Sequence, residues 1–233
     1  MRKLLGIFFL GLIFANITVG CSRDYEADEQ FPQGGDFKII NSANLGLPLA
    51  IYFNENRIIE QSLYNTQTSY FRVKNTSGTI NVSTSTNEGV ENNVLSINDT
   101  YELNKNVTYF LVNSITNPSS LTFIKANDDV AAPDYDKAKI RIANLSSNLG
   151  SNIDVIVGGQ VVISNVAPNS VSEFVTVKSR TAVNVVKTGT TTTLKSLGTT
   201  NFLSTGIYTL VLNGNAATGA TPALALASFS NAK

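Results

Sequence analysis

The β character of this chain is clearest in Ile153–Val162, which reads Ile-Asp-Val-Ile-Val-Gly-Gly-Gln-Val-Val. Apolar side chains flank Asp154 before the two glycines, and a second apolar run follows them. This pattern predicts a strand, a tight turn and a returning strand. A two-residue hairpin turn needs positive φ angles, which glycine adopts without strain, so we expect the turn at Gly158-Gly159.

The chain repeats itself at an interval of about 100 residues, which points to two copies of one domain, each long enough for its own core. The corresponding segments are Phe37–Asn41 with Ile140–Asn144, Ile51–Asn54 with Val155–Gly158, Tyr70–Lys74 with Phe174–Lys178, and Tyr109–Val112 with Tyr208–Val211. In the first copy the hairpin turn is predicted at Asn54-Glu55-Asn56, where asparagine tolerates left-handed geometry less freely than glycine.

Each copy is predicted to be β throughout. Thr, Val and Ile are abundant, and no segment after the first 20 residues carries a convincing helical stripe over ten or more residues. Short strands separated by turns predict an all-β fold of two tandem immunoglobulin-like β-sandwich domains. We place the domains at residues 36–127 and 138–233, with an exposed acidic linker at 128–137.

Residues 1–20 are predicted to be a cleaved lipoprotein signal peptide. Arg2 and Lys3 precede the apolar run Leu4–Ala15, which is too short to remain as a membrane-spanning helix. The segment ends at Gly20, followed by Cys21, the only cysteine of the chain. We therefore expect cleavage after Gly20 and acylation of Cys21, with palmitate among the attached acyl chains.

Acylation of Cys21 would anchor the protein in the bacterial outer membrane, facing either the cell surface or the periplasm. Residues 21–35 then form the lipidated cysteine and a flexible tether. Thr18 stands where such signals usually carry Leu, so an ordinary cleavage that leaves Cys21 unmodified is the alternative. Without residues 1–20 the chain keeps 15 basic against 17 acidic side chains, a balance that gives no electrostatic reason to expect nucleic acid as a partner.

The second copy resembles the domain-of-unknown-function family numbered 4397. The resemblance is carried by Lys139–Ser146, Asp154–Gln160 and Ser164–Val177. It covers residues 138–213, and residues 37–113 only as a degraded copy, which lacks the paired glycines and has Ala50 where Asp154 would align. The resemblance implies an envelope lipoprotein of the Bacteroidetes type, and it brings no catalytic residues with it.

No enzymatic activity and no cofactor are expected. The chain has no histidine, which removes the usual general base and every Ser-His pair. Its only Ser-x-x-Lys is Ser230–Lys233, at the end of the chain, and no glycine-rich phosphate loop is present. The leading hypothesis is a non-catalytic binding or structural module of the envelope. The alternatives are a glycan-binding accessory protein and an adhesion or assembly subunit that contacts another envelope protein.

Two further candidate sites follow from residue type. Tyr52 and Tyr70 could stack on sugar rings, or could simply cover a sheet face. The linker carboxylates Asp128, Asp129, Asp134 and Asp136 are oxygen ligands of the kind that Ca²⁺ takes. Their spacing matches no EF-hand loop, so a solvated linker is the alternative and no metal site is predicted.

Overall fold

The computed structural model describes residues 34–85, 91–114, 117 and 119–232. The regular elements among them are β-strands apart from one 3₁₀ turn at Thr199–Asn201, so the all-β prediction is confirmed. The predicted signal peptide, with Gly20 and Cys21, lies outside the described residues. Within these residues there is no helix of the length and apolarity needed to cross a membrane.

The first half of the described chain contributes nine strands. They are β1 (Asp36–Asn41), β2 (Leu49–Phe53), β3 (Asn56–Ser62), β4 (Thr66–Gln67), β5 (Phe71–Arg72), β6 (Ser77–Ser85), β7 (Glu91–Thr100), β8 (Asn106–Asn113) and β9 (Leu121–Asn127). We call residues 34–127 the first half and residues 137–232 the second half.

The second half contributes nine more strands, which pair in the same pattern. They are β10 (Lys137–Asn144), β11 (Ile153–Val157), β12 (Gln160–Val166), β13 (Ser170–Val171), β14 (Val175–Lys178), β15 (Val183–Lys187), β16 (Thr193–Leu197), β17 (Ile207–Asn213) and β18 (Ala225–Ser230).

Each half consists of two sheets. The inner sheet of the first half has the order β4-β1-β8-β9, with β5 also on β1, and the outer sheet has the order β3-β2-β6-β7. In the second half these sheets are β13-β10-β17-β18, with β14 on β10, and β12-β11-β15-β16. The first strand of each half pairs in parallel with β8 or β17, and every other strand pair is antiparallel.

Both hairpin turns fall where the sequence predicts them. Gly158 and Gly159 have φ angles of 59° and 84° between β11 and β12. Asn54 and Glu55 occupy the equivalent turn of the first half, between β2 and β3, with φ angles of 45° and 68°. The first half therefore holds a glutamate in the left-handed region, where a side chain costs energy that glycine avoids.

The two halves fill their cores differently. In the first half, the rings of Phe53, Phe71, Tyr101 and Tyr109 lie with centroids 5.4–5.8 Å from that of Phe37. The core of the second half is built mainly from aliphatic side chains of both of its sheets. Since each core draws on an inner and an outer sheet, the layering is consistent with a β-sandwich.

The inner sheets of the two halves face each other. Ile40, Phe110 and Val112 of the first half form one buried apolar cluster with Ala143 and Val211 of the second. Strands β1 and β8, and most of β10 and β17, are therefore buried on both faces. The described residues belong to one compact unit, and we call the contact between its two inner sheets the seam.

Candidate functional site

Arg141 lies at the centre of the seam, where β10 turns this side chain away from its own core. It is 1% exposed. Its guanidinium donates hydrogen bonds to Thr209 Oγ1 at 2.9 Å, to Thr108 Oγ1 at 2.9 Å, to the Asn127 carbonyl at 2.8 Å and to Asp128 Oδ1 at 2.5 Å. The Arg141 side chain thus links the second half to Thr108 and Asn127 of the first half and to Asp128 of the connector.

The partner carboxylate of Arg141 is also enclosed. The side chain of Asp128 is 0% exposed, and its Oδ2 accepts a hydrogen bond from the Tyr70 hydroxyl at 2.6 Å. Asn231 Nδ2 in turn donates to Tyr70 Oη at 3.3 Å. Burial, with the Asp128 carboxylate beside it, raises the pKa of Tyr70 and keeps the phenol protonated.

Lys38 is a second cation of the seam, and it is 1% exposed. Its ammonium donates to the Ser230 carbonyl at 2.9 Å and to Gln67 Oε1 at 3.2 Å, and lies 5.3 Å from the centre of the Tyr70 ring. Burial lowers the pKa of Lys38 to about 7, an effect that Asp128 opposes. We call Lys38, Tyr70, Asp128 and Arg141 the seam network.

The seam network binds the two halves to each other. Arg141 and Asp128 compensate one another's charge, and Tyr70 and Lys38 find partners across the seam. Removing one member of such a buried pair leaves an uncompensated charge, which is strongly destabilising. The seam network is therefore suited to holding the two halves in a fixed relative orientation.

The structure places the two candidate tyrosines in different surroundings. Tyr70 reaches across the seam to Asp128 and Asn231, as described above. Tyr52 lies on the outer sheet, where its hydroxyl bonds to Glu91 and receives hydrogen bonds from Arg57. The two tyrosines are therefore not brought together in one site.

The four candidate calcium ligands also have separate surroundings. Asp128 faces Arg141, and Asp129 Oδ2 lies 2.5 Å from the Lys139 ammonium. Asp134 and Asp136 are exposed. Within the described ranges, no group of three or more acidic, histidine or cysteine side chains is placed to hold a metal ion. Full burial of the Asp128 side chain also departs from the exposed linker expected there.

The seam opens at one end into a cleft of about 590 Å³. The first half lines it with Ser42, Asn44, Tyr64, Asn113 and Ser114, and the second half lines it with turns at residues 145–148, 150, 168–169, 214–215 and 221–222. We call this the asparagine cleft. Its lining, as far as the described residues go, contains no Asp, Glu, Lys or Arg.

The walls of the asparagine cleft are held by hydrogen bonds. Asn213 Nδ2 in β17 donates to Asn65 Oδ1 at 3.0 Å and approaches Ser42 Oγ at 3.5 Å, which ties the second half to the first beneath the cleft. Asn148 Nδ2 donates to Asn215 Oδ1 at 3.2 Å along one wall. The two walls are therefore fixed relative to one another before any ligand arrives.

Tyr70 and Asp128 were candidate residues for other sites, but neither the asparagine cleft nor the seam network was predicted from the sequence. Ser42 and Asn213 are 171 residues apart, and the turns that form the cleft have no pattern that distinguishes them from other turns. Arg141 alternates with apolar residues along its strand, a pattern that is typical of a strand with one face in water. The sequence around Arg141 therefore gives no local sign of its buried partners.

Comparison with known families finds a matching family model. The model of a family described as Domain of unknown function (DUF4397) matches residues 35–151. This range spans β1 to β10 and ends before the β11–β12 hairpin. The match therefore falls on the half that the sequence analysis treated as the degraded copy. A search of curated proteins found none that matches this chain.

Proposed function

The chain belongs to the DUF4397 family, and we propose that it is a non-catalytic, lipid-anchored protein of the bacterial outer membrane that presents a binding module. The proposal is supported by the N-terminal sequence, in which a basic pair, an apolar run and Gly20-Cys21 follow in the order of a lipoprotein signal. The acidic tether that follows would hold the body away from the lipid.

The observation that carries the binding role is the asparagine cleft at the end of a rigid seam. The seam network and the apolar cluster around Phe110 fix both walls of the cleft. A preformed site avoids much of the ordering cost of binding. In the seam, Arg141 is paired with Asp128, and Lys38 is held by the Ser230 carbonyl and Gln67 Oε1, which supports a structural task for these groups.

We also propose that the fold consists of two tandem immunoglobulin-like domains. The shared strand pattern of the two halves supports two tandem copies of one domain. Two sheets around one core support an immunoglobulin-like class. The strand order departs from the constant-type immunoglobulin domain, which places A, B, E and D in one sheet and C, F and G in the other. Here the first strand pairs in parallel with the eighth.

The anchor is tested by labelling cells with a palmitate analogue and separating membranes from soluble proteins. The unchanged protein is expected to incorporate the label and to sediment with the outer membrane, whereas Cys21→Ala should do neither. Ser22→Ala is the matched control and should behave as the unchanged protein. An unlabelled protein, or Cys21→Ala that sediments with membranes as before, would show that the anchor is not lipid on Cys21.

A further inference from the structure

We propose that the asparagine cleft binds a neutral carbohydrate chain. This inference rests on the proposed binding function and adds the chemical class of the ligand. The volume of the cleft, about 590 Å³, is within the range of ligand sites. Its position also differs from that of Tyr52 and Tyr70, the residues that the sequence analysis considered for sugar binding.

The uncharged lining favours an uncharged ligand. Two further cavities are lined by ionisable side chains, among them Lys38 and Arg72 in one and Lys105 and Lys125 in the other. Among the described residues, the asparagine cleft offers amides, hydroxyls and backbone groups for polar contacts. An anionic ligand would find no cation there to offset the loss of its hydration.

The amides of the cleft leave donors for ligand hydroxyls. Asn44 Oδ1 accepts from the Gly46 amide, and Asn215 Oδ1 accepts from the Ala217 amide at 2.8 Å. Within the described residues, Nδ2 of Asn44 and Nδ2 of Asn215 donate no hydrogen bond. A sugar hydroxyl can accept from such an amide and donate to a neighbouring oxygen, so a polyhydroxylated ligand matches this set of groups.

Buried polar atoms beside the cleft also lack partners. Tyr64 Oη and Asn213 Oδ1 are buried without a hydrogen-bond partner among the described residues. Tyr64 lines the cleft, and Asn213 precedes the lining residue Gly214. Such atoms require a water or another polar group to avoid the cost of an unmade hydrogen bond. These atoms add to the polar character of the wall around the cleft.

Carbohydrate is favoured over a peptide because turns form much of the cleft wall. A peptide that adds to a sheet needs a free strand edge, whereas the second half lines the cleft with turns that have left-handed residues at Asn148, Gly150, Asn169 and Gly214. Leu145, Pro168 and the Tyr64 side chain provide apolar surface that can cover the C–H face of a sugar ring.

The test is calorimetric titration of the full mature protein, purified in detergent, with maltohexaose, cellohexaose and mannohexaose. Hexagalacturonate is the anionic comparison and a glycine-serine peptide is the peptide comparison. We expect at least one neutral hexasaccharide to bind. The double variant Asn44→Asp/Asn215→Asp keeps both turn acceptors and removes both donors, so it should weaken binding about tenfold or more.

The matched control is Asn93→Asp. Asn93 Oδ1 accepts from the Leu95 amide on β7, in the same local arrangement but on the outer sheet. This variant should bind as the unchanged protein does. No binding of any neutral hexasaccharide, preference for hexagalacturonate or the peptide, or equal binding by the double variant would overturn the proposal. Because the titration uses purified protein, its outcome does not depend on whether Cys21 carries lipid.

Discussion

Arg141 is a charged side chain that the fold encloses completely, and its energetic role depends on its partner. Its bond to Asp128 joins two groups of which neither is exposed to water. Lys139, two residues earlier on the same strand, pairs with Asp129, whose side chain is 51% exposed. The two ion pairs are therefore close in sequence, but one is buried and the other is partly exposed to water. They should contribute differently to the free energy of unfolding.

We predict that Arg141→Met destabilises the protein by about 3–5 kcal/mol, because it leaves the Asp128 carboxylate buried without its cation. Lys139→Met is the matched control and should cost less than about 1 kcal/mol, as for an exposed pair. Denaturant midpoints at constant slope measure both. Equal losses in the two variants would mean that the buried pair does not hold the seam.

Lys38 predicts a specific pH dependence of stability. Its pKa is about 7 in the folded protein and 10.5 without burial, so between these values the unfolded chain binds more protons. The free energy of unfolding should therefore rise with pH from about 7 towards 10, and the full cost of burying the ammonium applies below pH 7.

Denaturation of the unchanged protein and of Lys38→Met at pH 6, 7, 8 and 9 measures this effect. The slope above pH 7 should be much smaller in Lys38→Met, because the group that titrates there is gone. The range stops below pH 10 to avoid the ionisation of tyrosines. An identical slope in both proteins would assign the pH dependence to another group.

The hairpins are the elements in which sequence and structure agree most closely. The turn at Gly158-Gly159 was predictable because its conformation depends on the two residues that form it. Glu55 has a φ angle of 68° in the equivalent turn of the first half. Because a side chain disfavours a positive φ angle, the backbone at Glu55 is predicted to be strained, and glycine would adopt this conformation at lower cost.

Glu55→Gly should stabilise the first half by about 0.5–1 kcal/mol, because glycine adopts a positive φ angle without strain. Thr122→Gly is the control, since Thr122 is exposed and regularly paired within β9, where glycine weakens a strand interior. Thermal unfolding of the two variants should shift in opposite directions. A lower melting temperature for Glu55→Gly would show that its side chain makes a favourable contact that outweighs the strain.

The inner strands mark the limit of prediction from sequence. Lys38 on β1 and Arg141 on β10 alternate with apolar residues, a pattern that is typical of a strand with one face in water. Both side chains are instead buried, because each finds partners far along the chain, at Ser230 for Lys38 and at Thr209 for Arg141. A contact between residues far apart in the sequence leaves no local pattern. The strands could therefore be predicted from the sequence, whereas the seam could not.

At the scale of the whole molecule, four sheets stack in one body. The seam has both an apolar cluster, with Phe110 fully buried, and the Arg141–Asp128 pair. Contacts of this kind couple the stability of neighbouring units. The two halves should therefore unfold together even though each has its own core.

Calorimetry should show one unfolding transition for the unchanged protein, because loss of either half exposes the apolar face of the other inner sheet. Val211→Asp places an unpaired charge in the apolar cluster and should separate this transition into two or lower its midpoint strongly. Two well-resolved transitions in the unchanged protein would contradict the coupling of the halves across the seam.

We propose that this body is attached to the membrane through a tether that begins at a lipidated cysteine. The measurement that tests this most directly is the mass of the N-terminal peptide of the protein purified from cell membranes. We predict a chain that begins at Cys21 and carries the added mass of more than one acyl chain. A peptide that begins at Met1, or at Cys21 with an unmodified thiol, would contradict the anchor and the envelope function proposed from it.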